Sequence, residues 1–156
     1  MKLVKKYMKK KVLTVKPSDS IFKAASALAK HHISGAPVVK GNKVVGVISE
    51  TDLIRFMKLD LSRTHSELAM EPHALSIVLL ALIKDHINMK KELKKMSKIQ
   101  VKDFMSRDVI SVPSDENVIE AASILDKHHI DRLPVIDKGR LVGIISRSDL
   151  IKSLIV

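Results

Sequence analysis

The sequence predicts an α/β (α+β) chain of two β-α-β-β-α units packed about a pseudo-twofold axis, with a helical insert between them. Three observations carry this. The stretch Gly46-Val-Ile-Ser-Glu-Thr-Asp52 returns as Gly143-Ile-Ile-Ser-Arg-Ser-Asp149, 97 residues later. Residues 4–54 and 101–151 align at that same offset without a gap. Within each copy, short β-branched runs are interleaved with apolar residues at helical spacing. A long period present twice points to a duplicated supersecondary unit rather than a solenoid. The expected organisation is unit one over 1–57, the insert over 58–100 and unit two over 101–156.

The elements of unit one follow in order. Val12-Leu-Thr-Val15 is a short run ended by Lys16-Pro17 and reads as a strand. Pro17-Ser-Asp-Ser20 is turn and helix-start chemistry. Ile21, Ala24, Ala25, Leu28 and Ala29 recur at helical spacing, so 20–31 reads as an amphipathic helix. Gly35 and Pro37 break it. Ala36-Pro-Val-Val39 reads as a strand, with Pro37 tolerated at its start. Gly41-Asn42 is a turn, Val44–Ile48 a central strand, and Thr51–Phe56 opens a second helix. Unit two repeats this with strands over 109–112, 133–136 and 141–145, helices over 117–129 and 147–154, and a turn at Lys138-Gly139. Two such units are expected to cover the apolar face that each leaves open.

The region 57–100 does not repeat. Pro72 suits the first turn of a helix. Ala74–Ile83 is apolar nearly all round, and Lys84–Lys98 turns strongly basic. One long helix or two is expected, covering either the parent domain or a second subunit. The apolar run is too short to span a bilayer, so no membrane partner is expected.

The totals narrow the function. At 46% hydrophobic and 29% charged residues, the chain should fold. Aromatics make up 3% with no Trp, so the core must come from Val, Ile, Leu, Ala and Met. Cysteine is absent, which excludes disulfides, Cys-ligated zinc and thiol catalysis and fits a reducing cytoplasm, the expected location. The start Met1-Lys-Leu-Val-Lys-Lys has no long apolar region behind its charges, so no signal peptide is expected. A net charge of +11 favours anionic partners: nucleotides, nucleic acid or an acidic protein surface. A Lys-rich solvated surface, as in heat-adapted proteins, accounts for the same number.

The doubled motif is where chemistry gathers. An apolar strand stops at Ser49 or Ser146, and a carboxylate, Asp52 or Asp149, follows three residues on. Ser49 or Thr51 can cap the helix that starts there. Strand end, helix N-terminus, hydroxyl and carboxylate make a place for a polar ligand, although both Asp residues also suit plain capping. The pairs His31-His32 and His128-His129 fall in last helical turns, where positive charge is favoured, and adjacent residues on a helix do not readily share one ion. No metal is expected. No Ser-His-Asp, carboxylate-pair or phosphate-loop arrangement has catalytic spacing, so no enzyme is expected.

With these residues in view, the chain resembles the CBS (cystathionine-β-synthase) domain family, as a stand-alone CBS pair or Bateman module. The resemblance covers 4–54 and 101–154. It rests on Val4-x-x-x-Met8 and Val101-x-x-x-Met105, on Leu13-Thr-Val15 and Ile110-Ser-Val112, on the His-x-h-x-x-h-Pro-Val step at His31–Val38, and on the closing Gly-h-h-Ser-x-x-Asp. It implies a non-enzymatic sensor that binds AMP, ADP, ATP, S-adenosylmethionine or methylthioadenosine in clefts between the units, works as a homodimer and signals to a regulated protein. Residue by residue, it implies that Asp52 and Asp149 accept from ribose hydroxyls and that Ser49 and Ser146 bond phosphate or ribose. Ile48, Ile145, Val15 and Val112 would flank adenine. Main-chain groups near Thr14, Val15, Lys16 and Pro17, and near Ser111, Val112 and Pro113, would read the base edge. Ala36 and Leu133 would line the pocket. Arg132 can fork onto a phosphate, with Arg147 and Lys16 as secondary candidates. Asp131 would repel one, while unit one is neutral there with Ser34-Gly35, so unequal sites are expected. Two rival readings stand beside this one: a nucleic-acid-binding module using the basic insert, and a scaffold whose clefts bind nothing.

Overall fold

The computed structural model describes residues 1–64 and 98–155; the side chains of 59–64, most of the insert, its apolar run 74–83 and Pro72 lie outside the described residues. The chain opens with a single helical turn, α1 (Val4–Tyr7). Helix α2 (Ile21–His31) begins where Ser20 Oγ accepts from the Phe22 backbone N–H at 3.1 Å, and it buries Ile21, Ala24 and Leu28. It ends on His32 in the left-handed region, at φ 50°. Strands β1 (Gly35–Lys40) and β2 (Lys43–Ser49) form an antiparallel hairpin whose turn places Gly41 at φ 64°. Helix α3 (Glu50–Thr64) follows directly.

After the insert, a 3-10 turn (Val101–Asp103) leads to helix α4 (Val118–Lys127), capped by the Asn117 side chain. Strands β3 (Arg132–Asp137) and β4 (Arg140–Ser146) form the second hairpin, and helix α5 (Arg147–Lys152) closes the described chain. The turn between β3 and β4 holds both Lys138 and Gly139 at positive φ, the geometry whose twist suits a two-residue hairpin loop. The sheet order is β1-β2-β4-β3, and the hairpins meet only where Lys43 faces Arg140.

Two expected strands shrink. Of Val12–Val15 only Val15 pairs, in a parallel bridge to Val38; of Val109–Val112 only Val112 pairs, with Val135. Pro17 and Pro113 follow closely, and a residue without an N–H cannot extend the ladder.

The two halves trade their leading segments. Val4 is fully buried in the second core, among Val118, Ala121, Leu125 and Leu133. Its counterpart Val101 is fully buried in the first, with Ile21, Ala24, Val38 and Ile48. Backbone bonds fix the exchange: Val4 N–H to Glu116 O at 2.9 Å, and Val101 N–H to Asp19 O at 2.9 Å. The crossing also explains two glycines. A Cβ on Gly46 would lie 2.7 Å from both Met105 Sδ and Ser106 O, and one on Gly143 would lie 2.7 Å from Met8 Sδ and 3.0 Å from Lys9 O. The Gly of the repeated motif thus marks where the other half's leading segment passes over the strand.

Candidate functional site

Two clefts open between the halves, each at the start of a motif helix. Cleft one, about 370 Å³, is edged by Ser49 and Asp52 at the start of α3; it is also lined by Ala36 and Pro37 of β1, Val47 of β2 and, from the other half, Ser106, Asp108, Asp131 and Arg132. Cleft two, about 570 Å³, is edged by Ser146 and Asp149 at the start of α5, with Lys9, His31, His32, Arg132 and Arg147 around it.

Local chemistry places the carboxylates. Each motif strand ends in Ser, and the helix that follows leaves its first N–H groups without intrahelical partners. Ser49 Oγ and Ser146 Oγ accept from the Asp52 and Asp149 backbone N–H, at 3.4 Å in both cases. In return, Asp52 Oδ2 accepts from the Ser49 N–H and hydroxyl at 2.9 and 3.0 Å, and Asp149 Oδ2 from those of Ser146 at 3.0 and 2.6 Å. These are reciprocal caps. They let the carboxylates be 7% and 3% exposed while keeping hydrogen bonds, as a buried charge requires.

Capping uses one oxygen of each acid, and the other differs between the halves. Asp52 Oδ1 accepts from Arg55 at 2.7 Å, and Arg55 also donates to Phe104 O at 3.0 Å. Asp149 Oδ1 meets only Lys9 Nζ at 3.8 Å and Lys152 Nζ at 3.9 Å, both on largely exposed side chains. Contacts at that distance and exposure hold weakly, so Asp149 Oδ1 has more acceptor capacity left for a ligand.

The structure brings only some of the expected residues to the clefts. Ala36, Ser49 and Asp52 line cleft one, Ser146, Arg147 and Asp149 line cleft two, and Arg132 lines both. Val15, Ile48, Val112, Leu133 and Ile145 instead sit in the cores, between 0 and 4% exposed. Strand alternation is the reason: neighbours on a strand face opposite ways, and the residues presented to the clefts are Val47 and Ile144. Several main-chain groups expected to read a base edge are already engaged. The N–H of Val15 donates to Pro37 O and that of Val112 to Pro134 O, while Lys16 N–H donates to Asp19 and Pro17 O accepts from Lys102. Thr14, Ser111 and Pro113 line neither cleft.

Arg147 is largely committed as well. Its guanidinium donates to Ile130 O and Leu125 O, both at 3.1 Å, and pairs with Asp131 at 3.3 Å. There it closes the C-terminal end of α4. Arg132 is the opposite case: its Nε is buried with no hydrogen-bond partner among the described residues. A buried donor left unpaired is costly.

Several cleft residues escaped the sequence reading: Lys9, Glu50, Asp108, Val47, Ile144 and the αL residues His32 and His129. Lys9 and Asp108 reach the clefts only through the exchanged segments, which no local pattern announces. Val47 and Ile144 follow only once the fold sets Ile48 and Ile145 in the cores, because a strand then turns their neighbours the other way. Among the described residues no group of three or more His, Asp or Glu is arranged to hold a metal ion, and no helix is long and apolar enough to cross a membrane.

Comparison with known proteins matches this geometry. The family model described as the CBS domain matches residues 4–59 and 101–156. An uncharacterized protein of Methanocaldococcus jannaschii, MJ1426, is 37% identical over 160 residues, covering 98% of this chain and 91% of the relative. Among solved structures, the CBS domain pair of protein MJ0100 in complex with 5-methylthioadenosine and S-adenosyl-L-methionine superposes with a TM-score of 0.69 at 25% identity, over 99% of this chain and 96% of that one. CBSX2 in complex with AMP gives a TM-score of 0.68 at 26% identity, over 99% and 97%.

Proposed function

The chain belongs to the CBS domain family, and from that premise we propose that it is a non-enzymatic regulatory module binding an adenosine-type ligand in the two clefts between its units. The observation that carries this reading is the placement of one capped, buried carboxylate at the edge of each cleft, with Arg132 lining both. A carboxylate with a lone pair to spare suits a ribose diol, the Arg132 guanidinium suits a phosphate or other acceptor, and in cleft one Pro37, Val47, Pro134 and Ile144 give a purine apolar walls. The AMP held by one structural relative, and the methylthioadenosine and S-adenosylmethionine held by another, supply the ligand class.

Both halves wall each cleft, so a bound ligand shifts the angle between them only as far as it binds one angle better. A second copy of the chain is the proposed reader of that shift, through the apolar outer face of α4 and α5, where Ile119 is 70% and Ile151 60% exposed. A further regulated protein completes the scheme.

Calorimetry with AMP, ADP, ATP, S-adenosylmethionine and methylthioadenosine tests the reading. Asp52→Ala and Asp149→Ala should each weaken binding at their own cleft by roughly 10- to 100-fold, the scale of a hydrogen bond to a charged group. Absence of heat with every ligand would overturn it. Steeply salt-dependent nucleic-acid binding that survives both substitutions would favour the rival reading, which the net charge of +11 motivates.

A further inference from the structure

The duplication supplies its own control: positions 97 apart began alike, so where they now differ in charge around the clefts, the balance of the two clefts is what has diverged. Five such departures fall on cleft walls; two of them, Ser34/Asp131 and Gly35/Arg132, put one charge of each sign at both clefts, which leaves three. Lys9 lines cleft two, and its counterpart in cleft one is Ser106. Arg147, in the first turn of α5, has Glu50 as its counterpart in the first turn of α3. Asp108 lines cleft one, and its counterpart Lys11 carries the opposite sign. All three make cleft one the more acidic.

The resulting balance is lopsided. Cleft one gathers Glu50, Asp52, Asp108 and Asp131 against one fixed cation, Arg132, and one imidazole, His129. Asp52 is neutralised by Arg55 and Asp131 by Arg147, while Glu50 and Asp108 have no ion-pair partner among the described residues. Cleft two sets Lys9, Arg132 and Arg147 against Glu50, Asp131 and Asp149, and adds His31 and His32. A cleft with low-dielectric walls focuses the field of its charges on whatever enters. In cleft one that field repels a phosphate and attracts a fixed positive charge; in cleft two Lys9 stands at the mouth as a cation able to meet a phosphate.

We propose that the two clefts are sorted by ligand charge: cleft one takes a cationic adenosine ligand of the sulfonium class, and cleft two takes an adenosine nucleotide bearing phosphate. This rests on the reading of both clefts as adenosine sites. It turns the pair into a comparator that reports two metabolite classes at once. A sulfonium needs no hydrogen-bond partner and cannot lose its charge, so nearby carboxylates beside apolar walls suffice to select it. Arg132 lines both clefts and discriminates neither.

The test is calorimetry on the full chain with S-adenosylmethionine and AMP, singly and together. The expected result is one site for each ligand, with neither displacing the other. Asp52→Asn should weaken S-adenosylmethionine alone, and Asp149→Asn should weaken AMP alone. Because both acids cap helices and their variants can lose fold, the double variant Ser106→Lys/Asp108→Lys, at two exposed positions, gives a second handle. It should raise AMP stoichiometry from one to two per chain and weaken S-adenosylmethionine about tenfold or more. Mutual displacement of the ligands, loss of S-adenosylmethionine on Asp149→Asn, or no effect of the double variant overturns the sorting while leaving the adenosine reading intact. If the parent chain binds neither ligand, nor any other adenosine compound, both fall together.

Discussion

The two halves share a motif at their polar ends but close their apolar ends differently. In the first half Phe56 of α3 stacks edge-on against Phe22 of α2, with centroids 5.7 Å apart, and against Phe104 of the exchanged segment at 5.2 Å. These are all three phenylalanines of the chain. Their counterparts 97 residues away are Ile119 for Phe22, Ser153 for Phe56 and Tyr7 for Phe104. In the second half, where Ser153 stands for the central ring, an apolar groove of about 370 Å³ runs between α4 and α5, lined by Val118, Ile119, Leu125, Leu150, Ile151 and Leu154. One half has filled this place from within. The other leaves an apolar surface that gains by being covered from outside. The duplication therefore keeps the Ser-x-x-Asp cap in both halves while the far end of each half is packed differently.

The sharpest way to break this comparison is at the ring itself. Phe56 is 6% exposed and joins both aromatic contacts. Phe56→Ala should cost about 3–5 kcal/mol, the range for a buried aromatic truncation. Ser153→Ala removes only the hydrogen bond from Ser153 Oγ to Leu150 O, at 2.6 Å, and should cost about 1 kcal/mol. Urea denaturation of both variants reads the difference. Equal losses would mean that the two ends are packed alike.

A smaller effect separates the two segment crossings. At Gly46 an added Cβ meets a backbone oxygen and a sulfur, both at 2.7 Å; at Gly143 the backbone oxygen is at 3.0 Å and only the flexible Met8 end is at 2.7 Å. Either Met end can swing aside, and both carbonyls are held, Ser106 O by the Val47 N–H and Lys9 O by the Ile144 N–H, each at 2.9 Å, so the closer approach of Ser106 O is what sets Gly46 apart. Gly46→Ala should therefore cost about 1–3 kcal/mol, in the overpacking range, and Gly143→Ala less. Thermal melts of the two variants decide it. A larger loss at Gly143 would show that the second crossing is the tighter one.

How far these differences were legible varies with their origin. The repeat placed both hairpins, helices α2 and α4 and both Ser-x-x-Asp caps, because local periodicity and capping chemistry act within a few residues. The exchange of Val4 and Val101 was not legible: a buried valine reads the same whichever core receives it. That Ile48 and Ile145 face the cores rather than the clefts was hidden for a simpler reason: the runs Val44–Ile48 and Leu141–Ile145 carry no polar residue whose alternation would say which side is which. The charge differences at 9/106 and 50/147 were written in the sequence, but they gain meaning only once the fold sets them on opposing clefts.

The smallest expected effect concerns how each half ties the loop before its helix. In the first half Asp19 accepts from the Lys16 N–H and from Lys23 Nζ, both at 2.8 Å. Burial works to raise its pKa, but the Lys23 bond, the Lys16 N–H and the two lysine charges together lower it from the ordinary 3.8. In the second half, position 116 is Glu, which accepts from the Asn117 N–H, and the loop is held instead by Asp137, whose carboxyl the Ser114 N–H draws below its ordinary value. A carboxyl whose folded pKa lies below its unfolded one stabilises the fold above the unfolded value, and that stabilisation is lost as pH falls through the folded one. Asp19→Asn keeps an acceptor for Lys16 but removes the charge. At pH 7 it should cost under about 1 kcal/mol, since Lys23 is largely exposed. The variant should then lose less stability than the parent on acidification from pH 5 to below 3.8, read by denaturation at stepped pH. Asp137→Asn should blunt the same acid loss from the other half, and a parent and variants with superimposable acid profiles would show that neither carboxylate ties its loop through charge.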